Sequence, residues 1–313
     1  MNSRLATPNA KVKPSVGADT SVRMAVGIAG FSFGLWCEMG APLALDPEHA
    51  PFLIAPPHNR ACDIEVEVTW ADELVAPTIT PSFHSGGLWS AFREASGTKF
   101  YFTSPALGVT PYKAAWFDDS FERGHVVLNR SSFADGTQVF PLEYPIDELV
   151  MMHRLSLGEG VEAHALGLAD SDGKGYLFLG HSGAGKSTTA RLWQSQPGVR
   201  MLSDDRIIIR KIDGRYVMFG TPWHGDAGVA SPESAPLDAI FFLQQFSGEQ
   251  ILPMAQPLAA AELFARSFVP HYREQGLEFT LSFFDGLARA VPCSIFRFTP
   301  TENAVEAIRY ARA

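Results

Sequence analysis

The stretch YLFLGHSGAGKSTTARLW, residues 176–193, decides how this chain is read. Tyr176, Leu177, Phe178 and Leu179 form a short apolar run of the kind that makes a buried strand. Gly180-His181-Ser182-Gly183-Ala184-Gly185-Lys186-Ser187 then fits G-x-x-x-x-G-K-[ST] at every fixed position. From Thr188 to Gln194 the pattern is helical, and Pro197-Gly198 stops it. Strand, glycine turn and helix are the setting in which this motif binds phosphate. Glycines let the backbone curl so that several N–H groups face one anion, and the helix N-terminus adds partial positive charge. Lys186 is a point charge suited to β- and γ-phosphates, and Ser187 offers a hydroxyl to Mg²⁺. Gly180, Ser182, Gly183, Ala184, Gly185, Lys186, Ser187 and Thr188 are therefore expected around the phosphates of a nucleotide.

Two further stretches carry chemistry. Met201-Leu202-Ser203-Asp204-Asp205 is an apolar strand that ends in acids, the usual partner of a phosphate loop. Adjacent aspartates at a strand end point to opposite sides, so one can serve Mg²⁺ and the other an acceptor hydroxyl. Thr221-Pro222-Trp223-His224-Gly225-Asp226 is a loop dense in functional side chains. There His224 is a candidate proton shuttle or phosphate ligand, and Asp226 a candidate metal ligand. His164 lies on the strand before the phosphate-loop strand and is a candidate for the same site. Arg191 and Arg206 are candidates for phosphate charge.

Outward from these motifs, the chain of 313 residues is long enough for about two domains. Hydrophobic residues make up 46% and charged residues 19%, the balance of a globular protein. A net charge of −9 argues against broad nucleic-acid binding, because there is no basic stripe to neutralise phosphates. Cys37, Cys62 and Cys293 are few and far apart, which points to a reducing cytoplasm rather than a disulfide framework or zinc site. Residues 24–36 are apolar but too short to span a bilayer, and they read as a strand pair or one bent strand.

Residues 1–22 are polar and read as a disordered tail. Residues 23–143 alternate short β-type runs with turn signals and read as a β-meander without chemistry of its own. Tyr144-Pro145 opens a helix with Ile146, Leu149, Val150, His153 and Leu157 on one face, closed by Gly158; His153 there reads as a packing residue. Residues 144–313 then alternate strands and helices, the α/β signature. Residues 161–168 read as one strand, 200–210 as one interrupted strand, and 258–269 as a helix. Asp213-Gly214 reads as a hairpin turn, and Thr299 as the cap of the last helix with Glu302 completing its capping box.

The segments GHSGAGKSTTARLW, MLSDDR and FGTPWHGD together resemble the HPr kinase/phosphorylase-like branch of the phosphoenolpyruvate-carboxykinase-type P-loop proteins. The resemblance is good over residues 161–226 and looser to the C-terminus. It implies a phosphoenolpyruvate-carboxykinase-like P-loop kinase domain with a mixed sheet, here preceded by a β-rich domain. It also implies ATP and Mg²⁺ as cofactors. It puts Lys186 on phosphates, Ser187 on the metal, Asp204 as the base that takes the acceptor proton, and Asp205 near the metal. His164 matches a histidine that the family carries before its loop. The L-E-I-R-G-L-G signature of HPr kinases is absent, so the resemblance does not extend to HPr as acceptor. The whole length looks more like the HPr-kinase-like proteins of bacterial biosynthetic clusters, some of which phosphorylate a serine on a ribosomal peptide.

The expected function is transfer of the γ-phosphate of ATP to a hydroxyl, serine above all, of a peptide or protein substrate in the cytoplasm. Neither nucleic acid nor membrane is expected as a partner. A small-metabolite acceptor is the alternative within the same chemistry. A nucleotide-binding switch without transfer is the alternative outside it, and the intact set Lys186, Ser187, Asp204 and Asp205 weighs against that.

Overall fold

The computed structural model describes residues 24–37, 43–56, 61–134, 137–181 and 183–310. The expected tail, residues 1–22, and the phosphate-loop residue Ser182 lie outside the described residues. The described residues form a sheet-rich mixed α/β molecule with three sheets. None of their helices is long and apolar enough to cross a membrane.

The first sheet has nine strands. From edge to edge they are Leu53–Ile54, Met24–Ile28, Phe31–Cys37, Ile64–Ala71, Arg123–Asn129, Gly108–Asp118, Gly97–Ser104, Trp89–Glu94 and Phe83–His84. The expected strand pair at 24–36 is the hairpin of Met24–Ile28 with Phe31–Cys37. The expected meander covers only the strands from Phe83 to Asn129. Phe31–Cys37, Ile64–Ala71 and Arg123–Asn129 pair in parallel, so the chain must cross over between them. Alternation in Ile64–Ala71 buries Ile64, Val66 and Val68 on one face. The helix Ile146–Arg154 lays Ile146, Leu149, Val150 and Met151 into the same core. Leu157 is exposed rather than on that face, because the helix widens into a π-turn over Leu155–Glu159 before Gly158 ends it at φ 110°.

The phosphate-loop strand Gly175–Leu179 sits inside a six-stranded mixed sheet. It pairs in parallel with Ala239–Gln245, which pairs in parallel with Cys293–Phe298; the outer strands are antiparallel. Both faces are covered. Leu177, Leu179, Ile240 and Phe242 pack towards the helices Gln256–Phe264 and Glu274–Ala290. Tyr176, Phe178, Phe241 and Leu243 pack towards Lys186–Gln194 and Asn303–Tyr310. Burial on both faces is why Tyr176–Leu179 is apolar without alternation.

The five-stranded sheet is antiparallel, in the order Ser234–Pro236, Arg215–Phe219, Arg206–Ile212, Val161–His164 and Ser267–Phe268. Asp213 at φ 49° and Gly214 at φ 81° make the hairpin turn that their dipeptide predicts. Two expected single strands are each two strands. The chain leaves this sheet after Val161–His164 and enters the six-stranded sheet with Leu166–Ala169. It returns from Arg200–Ser203 into Arg206–Ile212. Each run looks continuous in sequence because both sheets bury their strands. The helix expected over 258–269 stops at Phe264, because Ser267–Phe268 is recruited as an edge strand beside Val161–His164. The last helix begins at Asn303, so Thr299 is not its cap. Its hydroxyl instead accepts from the Gly248 N–H (2.9 Å) and donates to the Phe246 carbonyl (3.1 Å).

His153 is a packing residue, as its position on an apolar face predicts. It is fully buried and stacks on Phe121 with ring centroids 4.4 Å apart. Nδ1 donates to the Leu149 carbonyl, and Nε2 accepts from the Tyr272 hydroxyl. Burial pushes the imidazole pKa down to about 3. An unfolded histidine titrates near about 6.5, so between these values the unfolded chain holds a proton that the folded chain does not. The contribution of His153 to stability is therefore present above about pH 6.5 and is lost as pH falls towards 3. The urea midpoint should drop on acidification from about pH 7 to about pH 4.5. His153→Gln should start from a lower midpoint and decline less steeply, since it has no proton to take up. Parallel slopes for the two proteins would contradict this.

Candidate active site

Two features of the loop need glycine. Gly185 caps the helix Lys186–Gln194 at φ 109°, which side chains rarely adopt. At Gly180 an added Cβ would stand 2.6 Å from the Cβ of Ala184. Gly180 and Ala184 thus shape the turn. Gly183, Gly185, Lys186, Ser187 and Thr188 line a cleft of about 440 Å³. His164, Asp204, Asp205 and Asp226 line the same cleft, so the structure brings most of the expected site together. His224 and Arg191 are not among its lining residues, and both are exposed.

Lys186 Nζ donates to the Gly180 carbonyl at 3.3 Å. Burial lowers the pKa of its ammonium; Asp205 opposes this, and the charges of Arg266 and Arg206 reinforce it. A lysine whose charge is disfavoured by neighbouring cations is a site that an anion would relieve. Arg266 was not legible as a site residue. It follows the helix Gln256–Phe264, is largely buried, and donates through Nη2 to His181 Nε2 at 3.1 Å. Gln245 Nε2 donates to the Gly183 carbonyl at 2.7 Å and steadies the loop from the neighbouring strand. A lone arginine and a strand-end glutamine carry no motif, so only the fold reveals them.

The two aspartates lie where the chain passes from the six-stranded to the five-stranded sheet. The other passage, at His164-Ala165, runs beside it, and the Ala165 N–H donates to the Asp205 carbonyl at 3.0 Å. The two carboxylates have different surroundings. Asp204 is buried and accepts three backbone N–H bonds from the loop that follows Trp223: Gly225 at 3.0 Å, Ala227 at 2.7 Å and Val229 at 3.2 Å. Asp205 faces the cleft, with its carboxylate 2.8 Å from His164 Nε2 and in contact with Arg206 Nη1. Burial raises the pKa of the Asp205 carboxyl. The His164 hydrogen bond and the charges of Arg206, His164 and Lys186 outweigh that and hold it below the usual carboxylate range.

Arg206 is itself clamped. Its Nε donates to Glu148 at 2.6 Å, and its guanidinium lies 4.1 Å over the Phe268 ring. Glu162 lies beneath it, fully buried, at 3.7 Å from Nε. Burial raises the Glu162 carboxyl pKa well up, and the neighbouring Glu148 adds to this. Glu148 and Glu162 are acids inside apolar segments, a pattern that composition alone does not mark.

The loop 221–226 is fastened from both sides. Thr221 Oγ1 donates to the Arg206 carbonyl at 2.8 Å. Trp223 Nε1 donates to Asp147 at 2.6 Å, and the same carboxylate oxygen is 2.8 Å from His49 Nε2. Asp147 belongs to the helix packed on the first sheet. His224 therefore projects away from the phosphate loop, with Nε2 4.0 Å from Glu48.

Among the described residues no group of three or more His, Cys, Asp or Glu side chains could hold a metal ion. The donor set fits Mg²⁺ rather than a closed protein cage, because Mg²⁺ takes few protein oxygens and completes its shell with phosphate and water. Ser187 and Asp226 reach the cleft, and Asp226 has no hydrogen-bond or ion-pair partner among the described residues.

Residues 146–301 match the model of the family described as SynChlorMet cassette protein ScmC. The matched segment holds the phosphate loop, both aspartates and the 221–226 loop. A solved HPr(Ser) kinase/phosphatase from Coxiella burnetii is a distant structural neighbour, at 14% identity and a TM-score of 0.29. The similarity covers 48% of this chain and 90% of that one. No curated protein matches the chain.

Asp204→Asn keeps the size of the side chain but loses an acceptor oxygen. It should cost about 2–3 kcal/mol and release the 225–229 backbone. Hydrogen exchange should then speed up at the amides of Gly225, Ala227 and Val229. In Asp205→Asn the same amides should exchange at the native rate. Equal protection in both variants would show that Asp204 does not hold this loop.

Proposed function

We propose that this chain is an ATP-dependent kinase that transfers the γ-phosphate to a hydroxyl, the serine of a peptide or protein, in the cytoplasm. The observation that carries the reading is Asp205. It is a carboxylate held in its ionised form by His164, Arg206 and Lys186, in the same cleft as the phosphate loop. An ionised carboxylate beside bound phosphates has nothing to offer simple anion binding. It is suited to accept a proton from an attacking hydroxyl.

The sequence resemblance implies Asp204 as that base, but the geometry favours Asp205. Asp204 is buried and occupied with three backbone N–H donors of its own loop, whereas Asp205 is only half-buried in the cleft and its partners are the side chains of His164 and Arg206. Asp204 then acts as a positioning residue for the loop that carries Asp226.

In the transfer, the acceptor oxygen forms its bond to the γ-phosphorus as the bond to the β,γ-bridging oxygen breaks. ADP leaves with that electron pair, and the hydroxyl proton passes to Asp205. Lys186 and the loop N–H groups offset charge on the phosphate oxygens, and Arg266 adds positive field from behind the loop. When bound, Mg²⁺ supplies charge neutralisation on the β- and γ-phosphates, and Ser187 and Asp226 are the residues that would hold it.

The test is transfer of labelled γ-phosphate from ATP–Mg²⁺ into a lysate of the source cells. The wild type should label a peptide or protein. Asp205→Asn should still bind ATP yet transfer about 10²- to 10⁴-fold more slowly. Near-normal transfer by that variant would remove Asp205 as the base. Tight ATP binding with no labelled product in any fraction would remove the kinase reading itself.

A further inference from the structure

Beyond Asp205 the cleft does not close. A second cavity of about 300 Å³ starts at Asp205 and Arg206 and is walled by Trp223 and His224 on one side and Asp46 and Glu48 on the other. A third, of about 240 Å³, shares Tyr144 and Arg206 with it and is lined largely by aromatic and aliphatic side chains. The three cavities thus form a chain, with Asp205 linking the first to the second and Tyr144 and Arg206 linking the second to the third. A nucleotide with its phosphates on the loop fills the first. The second cavity then offers an acceptor hydroxyl an approach to Asp205.

The second cavity has unbalanced charge. The Asp46 carboxylate has no hydrogen-bond or ion-pair partner among the described residues, and Glu48 has only His224 at 4.0 Å. Burial raises the Asp46 carboxyl pKa; His49 opposes this, while Glu143, Glu48 and Asp147 reinforce it. Of the basic side chains in the cavity wall, Arg206 is already engaged by Glu148 and Asp205, and His49 by Asp147. A cationic side chain would answer both free carboxylates.

The third cavity offers apolar contact of a defined shape. Phe83 stacks on Trp89 with centroids 5.0 Å apart and meets Tyr272 at 5.6 Å. Phe268 and Met152 contribute from other elements. Such a pocket accepts a large apolar or aromatic ring.

We infer that these cavities are the acceptor site, and that the acceptor is a peptide whose phosphorylated serine is flanked by a basic side chain, held by Asp46 and Glu48, and by an aromatic or large aliphatic one, held by Phe83 and Trp89. A chain suits the site better than a metabolite, because two cavities of opposite chemistry lie past the reacting carboxylate with exposed Tyr144 between them. The inference rests on the kinase reading and names its substrate.

The experiment presents the full chain and labelled ATP–Mg²⁺ with an array of serine peptides in which each flanking position is varied in turn. The wild type should favour Arg or Lys at one flanking position, and Trp, Phe or Leu at another, by about five- to tenfold over Ala. Asp46→Lys combined with Glu48→Lys should abolish or reverse the basic preference while the aromatic one persists. Trp89→Ala should do the converse. ATP affinity, measured on each variant, reports that the protein is folded. Peptide phosphorylation with no such preferences, or with the basic preference intact in the double variant, overturns the inference and leaves the kinase standing. Label confined to small molecules in a lysate overturns the peptide acceptor. No transfer to any acceptor, with ATP bound, overturns the inference together with the kinase reading.

Discussion

Three backbone N–H groups converge on the carboxylate of Asp204, and the rest of the site depends on that bond set. A buried carboxylate is costly unless its lone pairs are filled, and here a loop of the protein itself fills them. The loop is thereby fixed against the end of the six-stranded sheet. Its other end is tied by Trp223 to Asp147, on the helix packed against the first sheet. One short segment therefore joins the phosphate-binding layer to the β-rich half. Removing either acid frees a different end of it.

The β-rich half is more than a neighbour. Ile208 and Trp223 are counted in the same apolar core as its strands, and Arg210 donates to the Ala29 carbonyl at 2.8 Å while lying 4.2 Å over Phe31. Its residues wall the space on the far side of Asp205. The phosphate loop, by contrast, is built from the strand, turn and helix that carry its motif, with Gln245 and Arg266 bonded to it from neighbouring elements. The phosphate-loop cleft and the cavity lined by Asp46 and Glu48 thus draw on different parts of the chain and share one carboxylate, Asp205.

Much of this was legible before the fold was known. The phosphate loop, its strand and its helix follow from spacing, because the motif encodes local backbone geometry. The Asp213-Gly214 turn and the packing role of His153 were legible for the same reason. What could not be read were the contacts between distant elements. Asp204 and Asp205 differ in role only because of which side of the chain the 225–229 backbone approaches, and adjacent identical residues carry no trace of that. The passages at Ala165 and Asp204-Asp205 look like ordinary strands, because each side of the break is buried in its own sheet. Trp89 lies in a plain β-type run, Phe83 in a stretch that reads as a loop, and Asp46 and Glu48 in a stretch that carries no motif. They gain meaning only when a parallel crossover brings them beside residues far along the chain.

The two side-by-side passages between sheets have a mechanical consequence. Lys186 rides on the six-stranded sheet, while His164 and Arg206 ride on the five-stranded one. The Ala165-to-Asp205 backbone bond ties the two passages together, between the His164–Arg206 pairing of one sheet and the Gly167–Ser203 pairing of the other. If one sheet rotated against the other, the motion would pivot there, with Lys186 on one arm and His164 and Arg206 on the other. The separation of Lys186 from His164 and Arg206 is then tied to the angle between two layers of backbone. Its stiffness is that of hydrogen-bonded strands.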